Sequence, residues 1–106
     1  MITFLTRLFL LCVGHAFSDV AFQTEWMAVN KHRTRPNAVK GLWVFALTAH
    51  ALVNAGVVIL ITGNVFLGVL EFIAHWLIDF GKCEGWYNLV TDQALHLTSK
   101  IVWCIL

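Results

Sequence analysis

The sequence predicts an all-α fold, a four-transmembrane-helix bundle with short loops, built as a single integral membrane domain over residues 1–106. Three observations carry that expectation. Hydrophobic residues make up 59% of the chain and charged residues only 12%. A water-soluble domain usually carries about a quarter charged residues, and a chain this short has much surface to cover. Apolar stretches near the length of a membrane crossing, about 20 residues, recur along it, separated by short segments rich in charge or glycine.

The first helix is read over residues 2–28. Its opening, "MITFLTRLFLLCVGHAFSDV", has the basic residue, apolar centre and small residues of a signal peptide. Against that reading, His15, Asp19 and Gln23 step by four and the helical pattern runs on to Trp26. A cleaved leader needs no such stripe. "NKHRTRPNAVK", residues 30–40, holds Lys31, Arg33, Arg35 and Lys40 and no acid. Pro36 blocks a continuous helix there, and the positive-inside tendency places this loop in the cytoplasm.

Residues 41–62 form the second crossing, Gly63 and Asn64 a tight turn, and residues 65–80 the third helix, short for a span. "GKCEGWY", residues 81–87, reads as a second cytoplasmic loop, and residues 88–106 as the fourth helix. Four crossings then leave both termini outside, in a bacterial inner membrane. Trp26, Trp43, Trp86 and Tyr87 fall beside the two loops and Trp103 near the opposite boundary, as interfacial aromatics do. A net charge of +1, with no arginine-rich helix or zinc-finger spacing, points away from nucleic acid. Cys12, Cys83 and Cys104 are isolated and odd in number, so no disulfide framework follows.

The polar residues are patterned. Helix 1 offers His15, Asp19 and Gln23; helix 2 offers His50 and Asn54; helix 3 offers Glu71, His75 and Asp79; helix 4 offers Asp92, Gln93 and His96. Residues four apart share a helix face. Counted from the loop ends, Asp19, His50, Glu71 and His96 lie at matching depths, roughly 15 Å in at about 1.5 Å per residue. An ionisable group facing lipid costs about 2.5–3.5 kcal/mol on the insertion scale, so these groups are expected to face one another, water or a cation.

Imidazole nitrogen and carboxylate oxygen suit zinc, manganese or iron, and helical bundles hold two-metal sites from inward Glu and His. The candidate metal set is His15, Asp19, His50, Glu71, His75, Asp79, Asp92 and His96, for one or two divalent ions. Some of these acids are expected to orient a histidine rather than bind. Gln23, Asn54 and Gln93 are read as tying helices together, and Lys31 and Lys82 as anion-binding or anchoring residues at the cytoplasmic mouth. Arg7 and Lys100 are read as snorkelling toward the outer side, His32 as solvated, and Gly14, Gly56 and Gly68 as points of close helix approach.

The motifs His-x3-Asp-x3-Gln in "HAFSDVAFQ", His-x3-Asp-x2-Lys in "HWLIDFGK" and Asp-Gln-x2-His in "DQALH", with His50 in "LTAHAL", occur in order over nearly the whole chain. In this the sequence resembles a family of small bacterial and phage integral membrane proteins of unknown function. The resemblance implies a compact helical membrane domain and draws attention to Lys31, Lys82 and Gln93. Membrane-bound metal-dependent hydrolases share only the style of site.

The leading functional expectation is a small membrane protein with an intramembrane His/Asp/Glu metal site, acting as a phage-encoded effector at the host envelope. Its partners would be the lipid bilayer, further copies of itself, or a host membrane protein. A second reading is a metal-dependent membrane hydrolase of a lipid-linked or phosphate-containing substrate, with Glu71 or Asp92 as catalytic base. A third is proton or metal-ion handling. Axial histidine pairs for haem, His15 with His96 or His50 with His75, fit less well because carboxylates sit beside every pair.

Overall fold

The computed structural model describes residues 3–106; residue 2, where the first expected helix begins, lies outside them. The described residues form five α-helices and one π-helical segment. These are α1 (Phe4–His15), the π segment (Ala16–Ala21), α2 (Glu25–Asn30), α3 (Trp43–Thr62), α4 (Val65–Cys83) and α5 (Leu89–Ile105).

Side-chain caps set most of these boundaries. Thr3 accepts from the Thr6 amide, Thr24 from Met27, Asn64 from Phe66 and Leu67, and Asn88 from Thr91. Gly63, at φ 67°, takes the left-handed conformation that ends α3. With the Asn64 cap it makes the tight turn expected between the second and third helices.

Two expectations are corrected. The helix read over residues 2–28 is broken. It widens into a π turn, with the Phe22 amide bonded to the Phe17 carbonyl at 2.8 Å, and then stops before α2. The four-transmembrane bundle is also overturned: among the described residues two helical stretches, Phe4–Ala21 and Trp43–Thr62, are long and apolar enough to cross a membrane. Helix α4 carries Glu71, Asp79 and Lys82 within its 19 residues, and α5 is 17 residues long and carries Asp92 and Lys100. The same charges that build the polar stripes make these two helices poor crossings by length and composition.

The long helices pack in a ring. Helix α1 contacts α3 and α5, and α4 contacts the same two, while α2 lies against α3. Gly14 and Gly68 allow this closeness: a Cβ on Gly14 would strike Val57 and Ile61, and one on Gly68 would strike Ile59. Gly56 faces open space, so it plays no part in helix approach. The loops after α2 and after α4 meet at one end of the ring, where Arg33 grips Glu84 through Nε and Nη2 at 2.8 and 2.9 Å. Asn30 pins the first of these loops by accepting from the Val39 amide.

The packing is inverted relative to a water-soluble domain. Buried apolar residues are few: Leu11, Val58, Leu67 and Trp103 form a plug, with alanines and Leu47 along α3. More numerous are the buried polar and charged residues, twelve against eight. Along α4 the stripe Leu67, Glu71, His75 and Asp79 faces inward, while Val65, Val69, Ile73 and Leu77 face out. The apolar helices and this outward apolar surface are consistent with membrane association.

Candidate metal centre

The π segment brings Asp19 into the ring. Its wider turn places Ser18 and Asp19 on the buried side, and the Ser18 hydroxyl lies 2.8 Å from the Gly14 carbonyl and 2.6 Å from Asn54 Oδ1. Local widening of this kind is frequent at functional sites. Helix α3 delivers His50, α4 delivers Glu71, His75 and Asp79, and α5 delivers Asp92 and His96. All of these are buried; His15, at the end of α1, is half-buried.

The imidazoles and acids meet in one cluster. His50 Nε2 stands 2.9 Å from Asp19 Oδ1 and 3.2 Å from Asp79 Oδ2. His75 Nε2 stands 3.3 Å from each of the same two oxygens. The opposite oxygen of Asp79, Oδ1, lies 3.0 Å from His96 Nε2, and that of Asp19, Oδ2, lies 3.5 Å from His15 Nε2. Asp92 Oδ1 is 3.5 Å from His96 Nε2. The rings of His75 and His96 are 4.3 Å apart between centroids.

Two overlapping ligand sets result. Asp19, His50, His75 and Asp79 each offer an atom within 4.8 Å of the others, and so do Asp19, Asp92 and His96. Ligands about 2.0–2.1 Å from a tetrahedral ion sit roughly 3.3 Å from one another, close to the spacing of the first set. A third combination, Glu71 with His75 and His96, also satisfies the distance test. There, however, both Glu71 oxygens already accept hydrogen bonds: Oε1 from Lys100 Nζ at 2.7 Å and Trp103 Nε1 at 2.9 Å, and Oε2 from His75 Nδ1 at 2.9 Å. The buried clusters are thus capable of coordinating one or two divalent ions.

Four buried atoms of this centre have no hydrogen-bond partner among the described residues: His15 Nδ1, His75 Nε2, Asp92 Oδ1 and His96 Nδ1. A buried polar atom without a hydrogen bond is destabilising, and two of the four, His75 Nε2 and Asp92 Oδ1, face the cluster. The charge balance points the same way. Four buried carboxylates, Asp19, Glu71, Asp79 and Asp92, confront two buried ammonium groups, Lys31 and Lys100. With the neighbouring imidazoles neutral, as metal ligands are, the surplus of two negative charges matches one divalent cation; two protonated imidazoles would balance it equally.

The remaining polar residues brace the cluster. Gln93 bonds to His15 Nε2 at 2.9 Å and donates to Asp19 Oδ2 and Asp92 Oδ2. Lys31 Nζ donates to Gln23 Oε1 at 2.5 Å and Asp79 Oδ2 at 3.3 Å. Lys82 borders a cleft of about 280 Å³ whose floor includes Asp19, Asp79 and Asp92. His32, read as solvated, is half-buried near this end; burial, then Arg35 and Lys31, holds its imidazole below the ordinary value. Lys100 and Trp103, read as a snorkelling residue and a boundary marker, are instead buried against Glu71. Their spacing from His96 along one helix face was the available signal.

A family described as "Protein of unknown function (DUF3307)" matches residues 7–106. The chain belongs to that family. No curated protein matches it, and no solved structure does. The DUF3307 match spans every residue of the cluster, from His15 to His96, so the metal-capable centre lies wholly within the family region.

Proposed function

We propose that this DUF3307 domain is a membrane-held divalent-metal protein whose centre takes two ions, with Asp19 and Asp79 each lending one oxygen to either side. One ion would sit among His50, His75, Asp19 and Asp79. The other would sit by His96 and Asp92 on the far oxygens of the shared acids, with His15 at its edge. The observation that carries this reading is His75 Nε2, fully buried and without a hydrogen bond, 3.3 Å from an oxygen of each shared acid. Glu71 belongs to the support: its carboxylate holds Nδ1 of His75, the usual role of an acid behind a ligating histidine. Helix α1 with its π segment, and α3, would hold the domain in the bilayer.

The test is calorimetric titration of chelator-stripped protein in lipid nanodiscs with zinc, manganese and ferrous iron. Two binding events for at least one of these metals support the reading. No binding of any of the three removes it.

A second reading, hydrolysis, is favoured by the cleft, because a molecule entering it reaches Asp19, Asp79 and Asp92. Metal ions acidify water and polarise a phosphoryl or carbonyl oxygen. Asp92 Oδ1, buried and without a hydrogen bond, would accept the proton, whereas Glu71 has both oxygens engaged. Asp92→Asn should keep at least one equivalent of metal while turnover falls by at least ~100-fold. Unchanged turnover would remove Asp92 from that role.

A further inference from the structure

The cleft beside the centre is a wedge between the π segment and α5. Helix α1 packs on α5, but the π segment that continues it packs on α3 and not on α5. Gln93 spans the two at the level of Asp19, through its bond to Asp19 Oδ2. Beyond that bond the wedge is open. Its lining holds the acids Asp19, Asp79 and Asp92 together with the bases Lys31 and Lys82. Lys31 is committed to Gln23 and Asp79, whereas Lys82 has no hydrogen-bond or ion-pair partner among the described residues. Two apolar residues of the lining point outward: Val20 of the π segment is 63% exposed and Leu89 of α5 is 59% exposed. Phe17 and Phe22 stack on the outer surface of the π segment with centroids 5.1 Å apart, extending the apolar side.

The charge count adds a constraint. With the imidazoles neutral, as metal ligation requires, one divalent ion neutralises the buried set of four carboxylates and two ammonium groups; a second leaves an excess of two positive charges, and Lys82 adds to it. Excess charge beside a low-dielectric wall is destabilising unless an anion enters. A phosphate monoester dianion has the matching charge, and its oxygens suit both metal ions and lysine.

We infer that the wedge takes a phosphate ester carried on an apolar chain, its phosphoryl group between the metal centre and Lys82 and its chain leaving between Val20 and Leu89 into the bilayer. The inference rests on the two-metal reading above. If the ester is hydrolysed there, the oxygen of water bonds to phosphorus as the P–O bond to the chain breaks. The alkoxide leaving with the electron pair takes up a proton derived from that water, leaving phosphate and a free alcohol.

The test uses the full chain in nanodiscs loaded with manganese, whose paramagnetism broadens the ³¹P resonance of bound phosphorus; empty nanodiscs with manganese are the blank. Dodecyl phosphate and inorganic phosphate are the two probes. Dodecyl phosphate should bind at least ten-fold more tightly than inorganic phosphate. Lys82→Met should weaken both by about ten-fold with metal content unchanged. Val20→Ser and Leu89→Ser should weaken dodecyl phosphate alone.

Equal affinity for the two probes would overturn the apolar-chain assignment and leave a site for free phosphate. No broadening above the blank with metal present, or no effect of Lys82→Met, would overturn the phosphate site while the metal reading stands. Failure of wild-type protein to hold manganese would instead count against the metal reading on which the inference is built.

Discussion

Glu71 Oε2 lies 2.9 Å from His75 Nδ1, one turn away along α4, and this contact decides which nitrogen His75 offers to the cluster. With the proton held on Nδ1 against the carboxylate, Nε2 would present its lone pair to an ion bound by Asp19 and Asp79. Replacing Glu71 by Gln keeps the size and removes the charge that fixes the tautomer. We expect metal affinity, measured by competition with a chelator, to fall by about 10–100-fold. Unchanged affinity would mean that the ring is oriented by packing alone.

Lys100 approaches the same acid from α5, at 2.7 Å, with both side chains almost wholly buried. Removing one member of a buried pair leaves the other uncompensated, which costs about 3–5 kcal/mol. Lys100→Met should destabilise the domain by that amount in denaturation measured in detergent. The double variant with Glu71→Gln should be less destabilised than the sum of the two singles. Strict additivity would show that the two residues do not stabilise each other.

Much of this centre is legible in the sequence because its signal is local. The steps His15–Asp19, His75–Asp79 and Asp92–His96 are one helical turn each, so a single period marks them, and His50 is an ionisable group in an apolar run. Other parts are not local. The π segment has no periodic signature; it shows only in the 2.8 Å bond from Phe22 to Phe17. Lys100 and Trp103 look like residues of a helix end until Glu71, on another helix, is seen between them. The count of crossings failed because overall hydrophobicity was read as membrane length in every helix. In α4 and α5 the inward charges lower the apolar content that a crossing needs.

The two glycines of the α3–α4 hairpin differ in what surrounds them. A methyl group at Gly68 would collide with the Ile59 side chain, whereas one at Gly56 meets nothing within 4 Å. Gly68→Ala should destabilise by about 1–3 kcal/mol through overpacking. Gly56→Ala should be neutral or stabilising by up to about 1 kcal/mol, from helix propensity. Equal melting temperatures for the two variants would contradict the α3–α4 contact described above.

At the loop end, the Arg33 guanidinium holds the Glu84 carboxyl below its ordinary value, chiefly through the hydrogen bonds it donates. A folded-state value below the unfolded one means that the contribution is complete above the ordinary carboxylate range. It is lost as pH falls through the lowered value. Loop protection in hydrogen exchange should therefore persist from neutral to mildly acidic pH and drop only in stronger acid. In Arg33→Met that acid-dependent step should disappear. A step that survives the substitution would assign the titration to another group.

The central claim is that Asp19 and Asp79 are shared between two divalent ions, and metal stoichiometry across three variants tests it most directly. Chelator-stripped protein reloaded in nanodiscs and analysed for bound metal should hold two equivalents. His50→Ala and His96→Ala should each hold about one, and Asp79→Asn fewer than one, with all three variants still helical by circular dichroism. A folded wild type that retains no divalent metal, or an Asp79→Asn variant that keeps both equivalents, would contradict the account.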